Sequence, residues 1–529
     1  MIHYLLLVLF SIILTSPVMA ANPYLPLWEY IPDGESYVFE DPDVPGEYRV
    51  YVYGSHDVLR SGYCGRDLIL WSASVKDLNN WRFDGVIFES KTDRDGHPLH
   101  SNGQGDVLFA PDVAVCTLST GEKQYYLYPN NQAGGRNSMV AVSNRPDGPF
   151  RVINWNKKGA STRGILQFDP AVFVDDDGRV YGYWGFRQSF GAELDPTTMA
   201  TIKSGTQLVT DMVSNLDQEG EFRFFEASSM RKIKDKYVFV YSRWSAHGEF
   251  GLPGSNYTLA YAYADSPLGP FTYGGTIIDG RAREVCLDGT TRHTAHPGGN
   301  THGSIVEING QWYVFYHRQC GTDEFSRQAM VAPIQVKVTD KRVEISEAEY
   351  TSEGFETDGL NPFTTYPAGI ACYYTGQSPS RGQYPHFIFS GSYPQPFRTE
   401  YDGKTAPYSP LINRSPMVNN TAGSVIGYKY YNFSLSRHKK QLTFCLHLIP
   451  QGVDGHIDIY VDAPDEERGG RKVGRIILSK FLPNVETKMC IPVPEIAELN
   501  GKHALYLVFD SREKDKTICE IESLHFEVR

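Results

Sequence analysis

Asp33, Asp169 and Glu226 are the residues of this chain whose type and spacing could do chemistry. Each stands at the head of an apolar run, far from the other two in sequence. Carboxyl groups pressed together raise one another's pKa, which costs stability unless the site uses it. The chemistry that needs such a set is cleavage of a glycosidic bond. One carboxylic acid protonates the leaving oxygen, and one carboxylate activates water on the opposite face. The third can hold the acid protonated through its negative charge and fix its position.

The three acids meet only if a repeat brings them together. The stretch FDPAVFVDDDGRVYGYWG, Phe168 to Gly185, reads as strand, Asp-Gly turn and strand. The layout recurs in PDVAVCTLSTGEKQYYLY, EASSMRKIKDKYVFVYS and HGSIVEINGQWYVFYHR, and with a longer turn from Pro32. Five heads result, Asp33, Asp112, Asp169, Glu226 and His302, separated by 79, 57, 57 and 76 residues. That spacing accommodates one four-stranded sheet per repeat, and the first strand of each blade of such a propeller lines the axis. The register selects Asp33 over its neighbour Asp41, which falls at the hairpin turn, and assigns Asp175 to Asp177 to a solvent-facing turn. Asp112 holds the equivalent place in its repeat but runs directly into a valine strand. His302 reads as a core histidine, a metal ligand or a water holder. His56, Asp57, Asn131, Trp184 and Arg318 follow the strands nearest the axis, where they either bind substrate or serve the fold.

Composition sets the frame. A chain of 529 residues with 34 Tyr, 28 Phe and 49 Gly suits short strands and tight turns in two or three domains. The expectation is all-β: residues 21–345 as a five-bladed β-propeller, 346–358 as a polar linker, and 359–529 as a β-sandwich of jelly-roll type. All seven Trp lie at or before Trp312, so the second domain has none. A net charge of -12 repels a phosphate backbone and excludes nucleic acid as a natural partner. Residues 1–20 read as a secretory signal cleaved near Ala20, which predicts a secreted or periplasmic protein with no membrane span once processed. Eight cysteines are even in number and none forms a CxxC pair, so disulfides are allowed and zinc is not indicated. Cys116 and Cys372 read as buried thiols, and the pairing is not legible.

The pieces IPDGE, VYVYGSHD, FAPDV, FDPAVFVDDDG, FEASSM and HGSIVEINGQWYVFYHR, in this order, resemble glycoside hydrolase family 43. The resemblance covers about residues 25 to 345. It implies a five-bladed propeller that cleaves arabinose, xylose and related sugars from plant cell-wall polysaccharide with inversion. Asp33 is then the general base, Asp169 the tuner of pKa and orientation, and Glu226 the general acid, with base and acid roughly 6.5 to 9.5 Å apart. His302 matches a histidine that helps hold a calcium ion or a water in the channel, and no cofactor is required for the chemistry. Gly34 departs from the Asp-Pro that many members carry at the base. The expected activity is exo-acting, α-L-arabinofuranosidase or β-xylosidase, with a β-galactofuranosidase or galactan-cleaving enzyme as the alternative. A non-catalytic glycan-binding protein is the rival from another class. LNPFTTYPAGIACYY, GYKYYNF and NGKHALYLVFDS resemble carbohydrate-binding modules of family 6. With no Trp in the domain, either Tyr373 and Tyr374 grip sugar or the domain is purely structural and packs on the propeller.

Overall fold

Aromatic and β-branched runs punctuated by Asp-Gly and Asn-Gly turns fold here as antiparallel hairpins around an axis. A computed structural model of the chain describes residues 21–59, 62–132, 134–251, 255–285, 289–292, 294, 300–320, 325–376, 394–397, 415–439 and 441–529. The expected signal, residues 1–20, and Cys286 lie outside the described residues.

Four blades are four-stranded antiparallel meanders. Blade 1 comprises Glu35–Glu40, Tyr48–Tyr53, Asp67–Ser74 and Asp77–Glu89, and blade 2 comprises Phe109–Thr117, Lys123–Asn130, Ala141–Ser143 and Arg151–Val152. Blade 3 is Ala171–Val174, Val180–Trp184, Phe190–Leu194 and Val209–Thr210, and blade 4 is Phe224–Ile233, Lys236–Trp244, Tyr257–Ala264 and Thr272–Asp279. Blade 5 pairs Ser304–Ile308, Gln311–Gln319 and Arg327–Ile334 as three strands. The open edge of its last strand is covered by a residue from the start of the chain. The Asn22 side chain donates to the Val331 carbonyl at 2.8 Å and accepts from its N–H at 3.1 Å, so a side-chain amide stands in for a strand. The ring closes where Gly34 bridges Gly303 in parallel. A Cβ on Gly303 would lie 1.9 Å from the Phe315 carbonyl oxygen, so only glycine allows that approach.

All five blades are joined by one hydrogen-bond network centred on a largely buried guanidinium in the axial channel. Arg231 of blade 4 pairs with Glu35 of blade 1 at 2.9 Å and donates to the Ile305 carbonyl of blade 5 at 3.0 Å. It also reaches the Tyr37 hydroxyl at 3.3 Å, and Tyr37 donates to Asp112 of blade 2 at 2.6 Å. Asp112 in turn accepts the Val172 N–H of blade 3 at 2.6 Å. Burial is the main cause that pushes Glu35 up to about 8 and Asp112 up to about 6, against the pull of Arg231. Two carboxyls thus retain one proton near neutral pH and present one charge to the arginine. Asp112 is therefore part of the channel's brace.

The second domain packs a six-stranded sheet against a five-stranded sheet over an apolar core that includes Phe444, Leu446, Ile459, Leu507 and Phe526. Cys445 and Cys490 face each other on paired strands of the larger sheet and form a disulfide. Cys372 is buried and Cys116 half-buried, both as thiols. Tyr373 and Tyr374 are 2% and 0% exposed, which selects the structural role over a sugar grip.

Residues 346–358 do not behave as a solvated linker. Tyr350, Thr351, Ser352 and Glu353 are buried. Ser352 Oγ donates to Ile370 O at 2.7 Å, Glu353 pairs with Lys502 at 2.8 Å, and Phe355 packs against Tyr24, Trp81, Tyr313 and Phe315. The acids of the segment are divided between the two domains: Glu349 and Glu353 pair with Lys429 and Lys502 of the second, Glu347 and Glu356 with Arg283 and Asn79 of the propeller. The N-terminal segment is shared in the same way: Ala21 and Leu27 enter the sandwich core, while Tyr24, Leu25, Trp28 and Ile31 enter the core between blades 1 and 5.

Replacing Arg231 by methionine is expected to cost about 3–5 kcal/mol, because it leaves a buried carboxylate without its cation. Equilibrium denaturant unfolding measures it.

Candidate active site

Four of the five heads arrive at one end of the channel as the repeat requires, Asp112 sitting deeper. A cavity of about 230 Å³ is lined by Asp33, Asp169, Glu226 and His302, with Gln132, Asn300, Arg327 and Cys64 among the remaining lining groups. Tyr63, Phe109, Phe168 and Phe225 supply aromatic surface to the same cavity. The three acids are 4%, 5% and 8% exposed. Their backbone is held in an unfavourable region, with φ of +60° at Asp33, +50° at Asp169 and +60° at Ala227 directly after Glu226. Non-glycine residues in that region cost on the order of 1–3 kcal/mol each and persist where the surroundings enforce them.

Asp33 is built as an ionised carboxylate. Burial is the largest single influence and raises its pKa, but Arg327 at 2.9 Å, the neighbouring His317 and His302 and a 2.7 Å hydrogen bond from Ser55 Oγ together outweigh it and hold the group below the usual range. His317 Nδ1 accepts the Asp33 N–H at 3.2 Å, which leaves Nε2 to carry the proton toward Asn300 O at 3.2 Å. Burial lowers His317 to about 3 and His302 to about 4, so both imidazoles are neutral near pH 7. The permanent charge beside Asp33 is therefore that of Arg327.

Asp169 and Glu226 are pushed the other way. Burial is the leading cause for both, and neighbouring carboxyls add to it: Glu226 and Asp33 act on Asp169, and Asp33 acts on Glu226, which rises to about 7. The pair keeps a proton at neutral pH. Gln132 Nε2 donates to Asp169 Oδ1 at 3.2 Å. Glu226 Oε1 accepts from Tyr257 Oη at 2.5 Å and from Asn300 Nδ2 at 3.0 Å. One ionised carboxylate facing a protonated pair is the arrangement that general acid–base hydrolysis needs.

The expected pocket wall is corrected by the structure. His56 bonds Asp67 at 3.0 Å and lies 3.3 Å from Glu29; burial opposes its charge, but the two acids raise it to about 10, so it is a structural imidazolium. Asp57 grips Arg327 through Nε at 2.8 Å and Nη2 at 2.9 Å and accepts the backbone N–H of Cys64, which makes it the holder of the arginine. Trp184 is a core residue stacked on Phe190. Arg318 turns away from the axis and donates to Ala371 O and Gly369 O of the second domain. Asn131 is half-buried and does not line the cavity, which Gln132 reaches instead. Asp41 is buried beside Arg49 at its turn, and Asp175 is a buried tie to Lys232 and Tyr237 of blade 4. Arg327 and Asn300 escaped the sequence reading. A signal for the aromatic wall was present, since Phe168 and Phe225 each directly precede an acid of the set.

His302 Nε2 is buried without a partner, which suits a water or one contact to a cation. Among the described residues no group of three His, Cys, Asp or Glu gathers there, so these side chains do not by themselves build the oxygen cage that calcium takes.

Fold and site define a class: an all-β propeller whose axial carboxyls are set for acid–base cleavage, a glycoside hydrolase. A model of the glycosyl hydrolases family 43 matches residues 40–340. A xylosidase/arabinosidase from Thermoclostridium stercorarium is 35% identical over 367 residues, covering 66% of this chain and 71% of that protein. A β-xylosidase from Xylanibacter ruminicola is 26% identical over 373 residues, covering 62% and 95%. A family 43 β-xylosidase/α-arabinofuranosidase from a compost microbial metagenome, solved with xylotriose in a calcium-free form, is 24% identical with a TM-score of 0.43, covering 62% of this chain and 97% of that one. The chain belongs to glycosyl hydrolase family 43. Asp169, Glu226, His302 and Arg327 fall inside the matched stretch, and Asp33 lies just ahead of it. Among the described residues no helix is long and apolar enough to cross a membrane.

Ser55→Ala removes a donor to the ionised form of Asp33, so its pKa rises. The acidic limb of the kcat/KM profile is expected to move up by about one pH unit, measured across pH 3–8 on an aryl glycoside.

Proposed function

We propose that this chain is an inverting, exo-acting hydrolase of plant polysaccharide side chains, an α-L-arabinofuranosidase or β-xylosidase. The observation that carries the reading is the contrast within one small cavity: Asp33 is held ionised by Arg327 while Asp169 and Glu226 retain a proton. Asp33 takes a proton from water as that water attacks the anomeric carbon. Glu226 gives its proton to the leaving oxygen as the glycosidic bond breaks, and Asp169 keeps that proton in place until then.

A cavity of about 230 Å³ is smaller than the roughly 300–1,000 Å³ of pockets for larger ligands, which supports removal of single sugar units from a chain end or branch. At its mouth Phe186 is 46% exposed and packs on Phe168 and Phe225, giving the leaving side of the substrate an apolar ledge. The names of the relatives, xylosidase/arabinosidase and β-xylosidase, support the choice of sugars. We further propose that the protein is exported. The apolar N-terminal stretch and the Cys445–Cys490 disulfide support that reading.

Asp33→Ala and Glu226→Ala are each expected to lower kcat about 10²–10⁴-fold on poorly activated arabinofuranosides or xylosides. Glu226→Ala should retain turnover of a dinitrophenyl glycoside, whose leaving group needs no proton. NMR of the first-formed sugar should show the inverted anomer; retention would refute the mechanism. A panel that includes galactofuranosides and galactan decides the sugar.

A further inference from the structure

Glu226 Oε1 receives hydrogen bonds from the Tyr257 hydroxyl and from the Asn300 amide nitrogen, the latter a group that can only donate. Tyr257 opens the third strand of blade 4, opposite Trp244 in register, and is 0% exposed. Its ring is gripped edge-on by Trp244 at 4.6 Å and Phe225 at 5.6 Å, which fixes where the hydroxyl points. Burial pushes the phenol well above its ordinary value, so it stays protonated and donates. The second donor, Asn300 Nδ2, is fixed by its other end: Asn300 Oδ1 accepts from Arg327 Nη1 at 2.8 Å. Flipping the amide would set a donor against the guanidinium and an acceptor against the carboxylate.

An oxygen that accepts two hydrogen bonds is the carbonyl oxygen of a carboxylic acid. The proton then belongs on Oε2. We propose that Tyr257, with Asn300, is a positioning device of the acid: together they place the transferable proton of Glu226 on Oε2 and favour its ionised form enough to release it. The inference rests on the reading of Glu226 as general acid. It extends the chain of contacts to Asp33–Arg327–Asn300–Glu226–Tyr257, so one run of hydrogen bonds sets both base and acid. The charged and titratable groups facing Glu226 are Asp33, Asp169, Arg327, His302 and Tyr257; of these, burial aside, the Tyr257 hydrogen bond is the foremost influence on its proton.

Tyr257→Phe keeps the ring in its packing and deletes only the donor. A donor to the carboxylate favours the ionised form, so its removal raises the pKa of Glu226. Activity needs the protonated acid. The basic limb of the kcat/KM profile on a poorly activated glycoside is therefore expected to move up by about half to one pH unit, with a lower kcat. Asn300→Ala should move it the same way. A kcat lowered equally at every pH, with the limb unmoved, overturns the proposal. A second measurement does not depend on turnover: the ¹³C carboxyl resonance of Glu226 in the full chain, identified by its loss in Glu226→Gln, is titrated in wild type and Tyr257→Phe. An upward shift in the variant supports the positioning role; equal midpoints overturn it. If the shift appears but Glu226→Ala hydrolyses activated and unactivated glycosides with equal loss, the assignment of Glu226 as acid fails and the hydrogen-bond control of its proton stands.

Discussion

The buried guanidinium of Arg327 is the interaction on which the rest depends. It begins the last strand of blade 5, and both of its carboxylate partners, Asp33 and Asp57, belong to blade 1. Two carboxylates sealed from water repel each other and would protonate or separate without a cation between them. Ring closure and ionisation of Asp33 are thus one event. Asp57 spends both oxygens on the arginine and on backbone N–H groups, which fixes the guanidinium plane, while the Tyr63 ring lies 4.8 Å from its centre. The nucleophilic side of the site is as well defined as the closure of the propeller.

A second cation plays the matching role deeper in the channel. Arg231 of blade 4 bonds blades 1 and 5 directly and reaches blades 2 and 3 through Tyr37 and Asp112, whereas Arg327 ties the last blade to the first. The two arginines divide the axis into a sealed brace and an open pocket. Between them the carboxyls are sorted by environment: Asp33, beside Arg327, is held ionised, whereas burial pushes Glu35, Asp169 and Glu226 up and they hold protons.

How much of this was legible in the sequence follows from strand geometry. One head per blade is a register property, and Asp33, Asp169, Glu226 and His302 reached the pocket because inner strands repeat that register. The wall is made by neighbouring strands, where parity decides. Arg318 pairs with Gln328 and Gln319 with Arg327 in the same ladder, so successive residues face opposite sides of blade 5. One step of parity sends Arg318 to the sandwich and Arg327 to the substrate, and no composition signal separates them. The stretch 346–358 is more buried than its polar composition suggests, for a different reason. Polar residues there are buried against specific partners, such as Glu353 on Lys502, and partners 149 residues away are invisible to local reading. The sandwich was legible in its alternating runs, and the burial of Tyr373 and Tyr374 selects the structural one of the two roles left open for them.

The clasp made by Asn22 has a consequence for how the molecule is born. Residues near the start of the chain bond to Val331, Thr351 and Ser352, and Leu27 bonds to Gln328. Synthesis delivers the N-terminal segment first and its partners some three hundred residues later. Closing contacts of such long sequence separation is slow, and exposed strand edges in the interval invite association with other chains. Blades 1 to 4 therefore keep the edge of the ring open until blade 5 and the segment that follows it exist. The ring is thus sealed by contacts between the earliest and the latest parts of the propeller to be made.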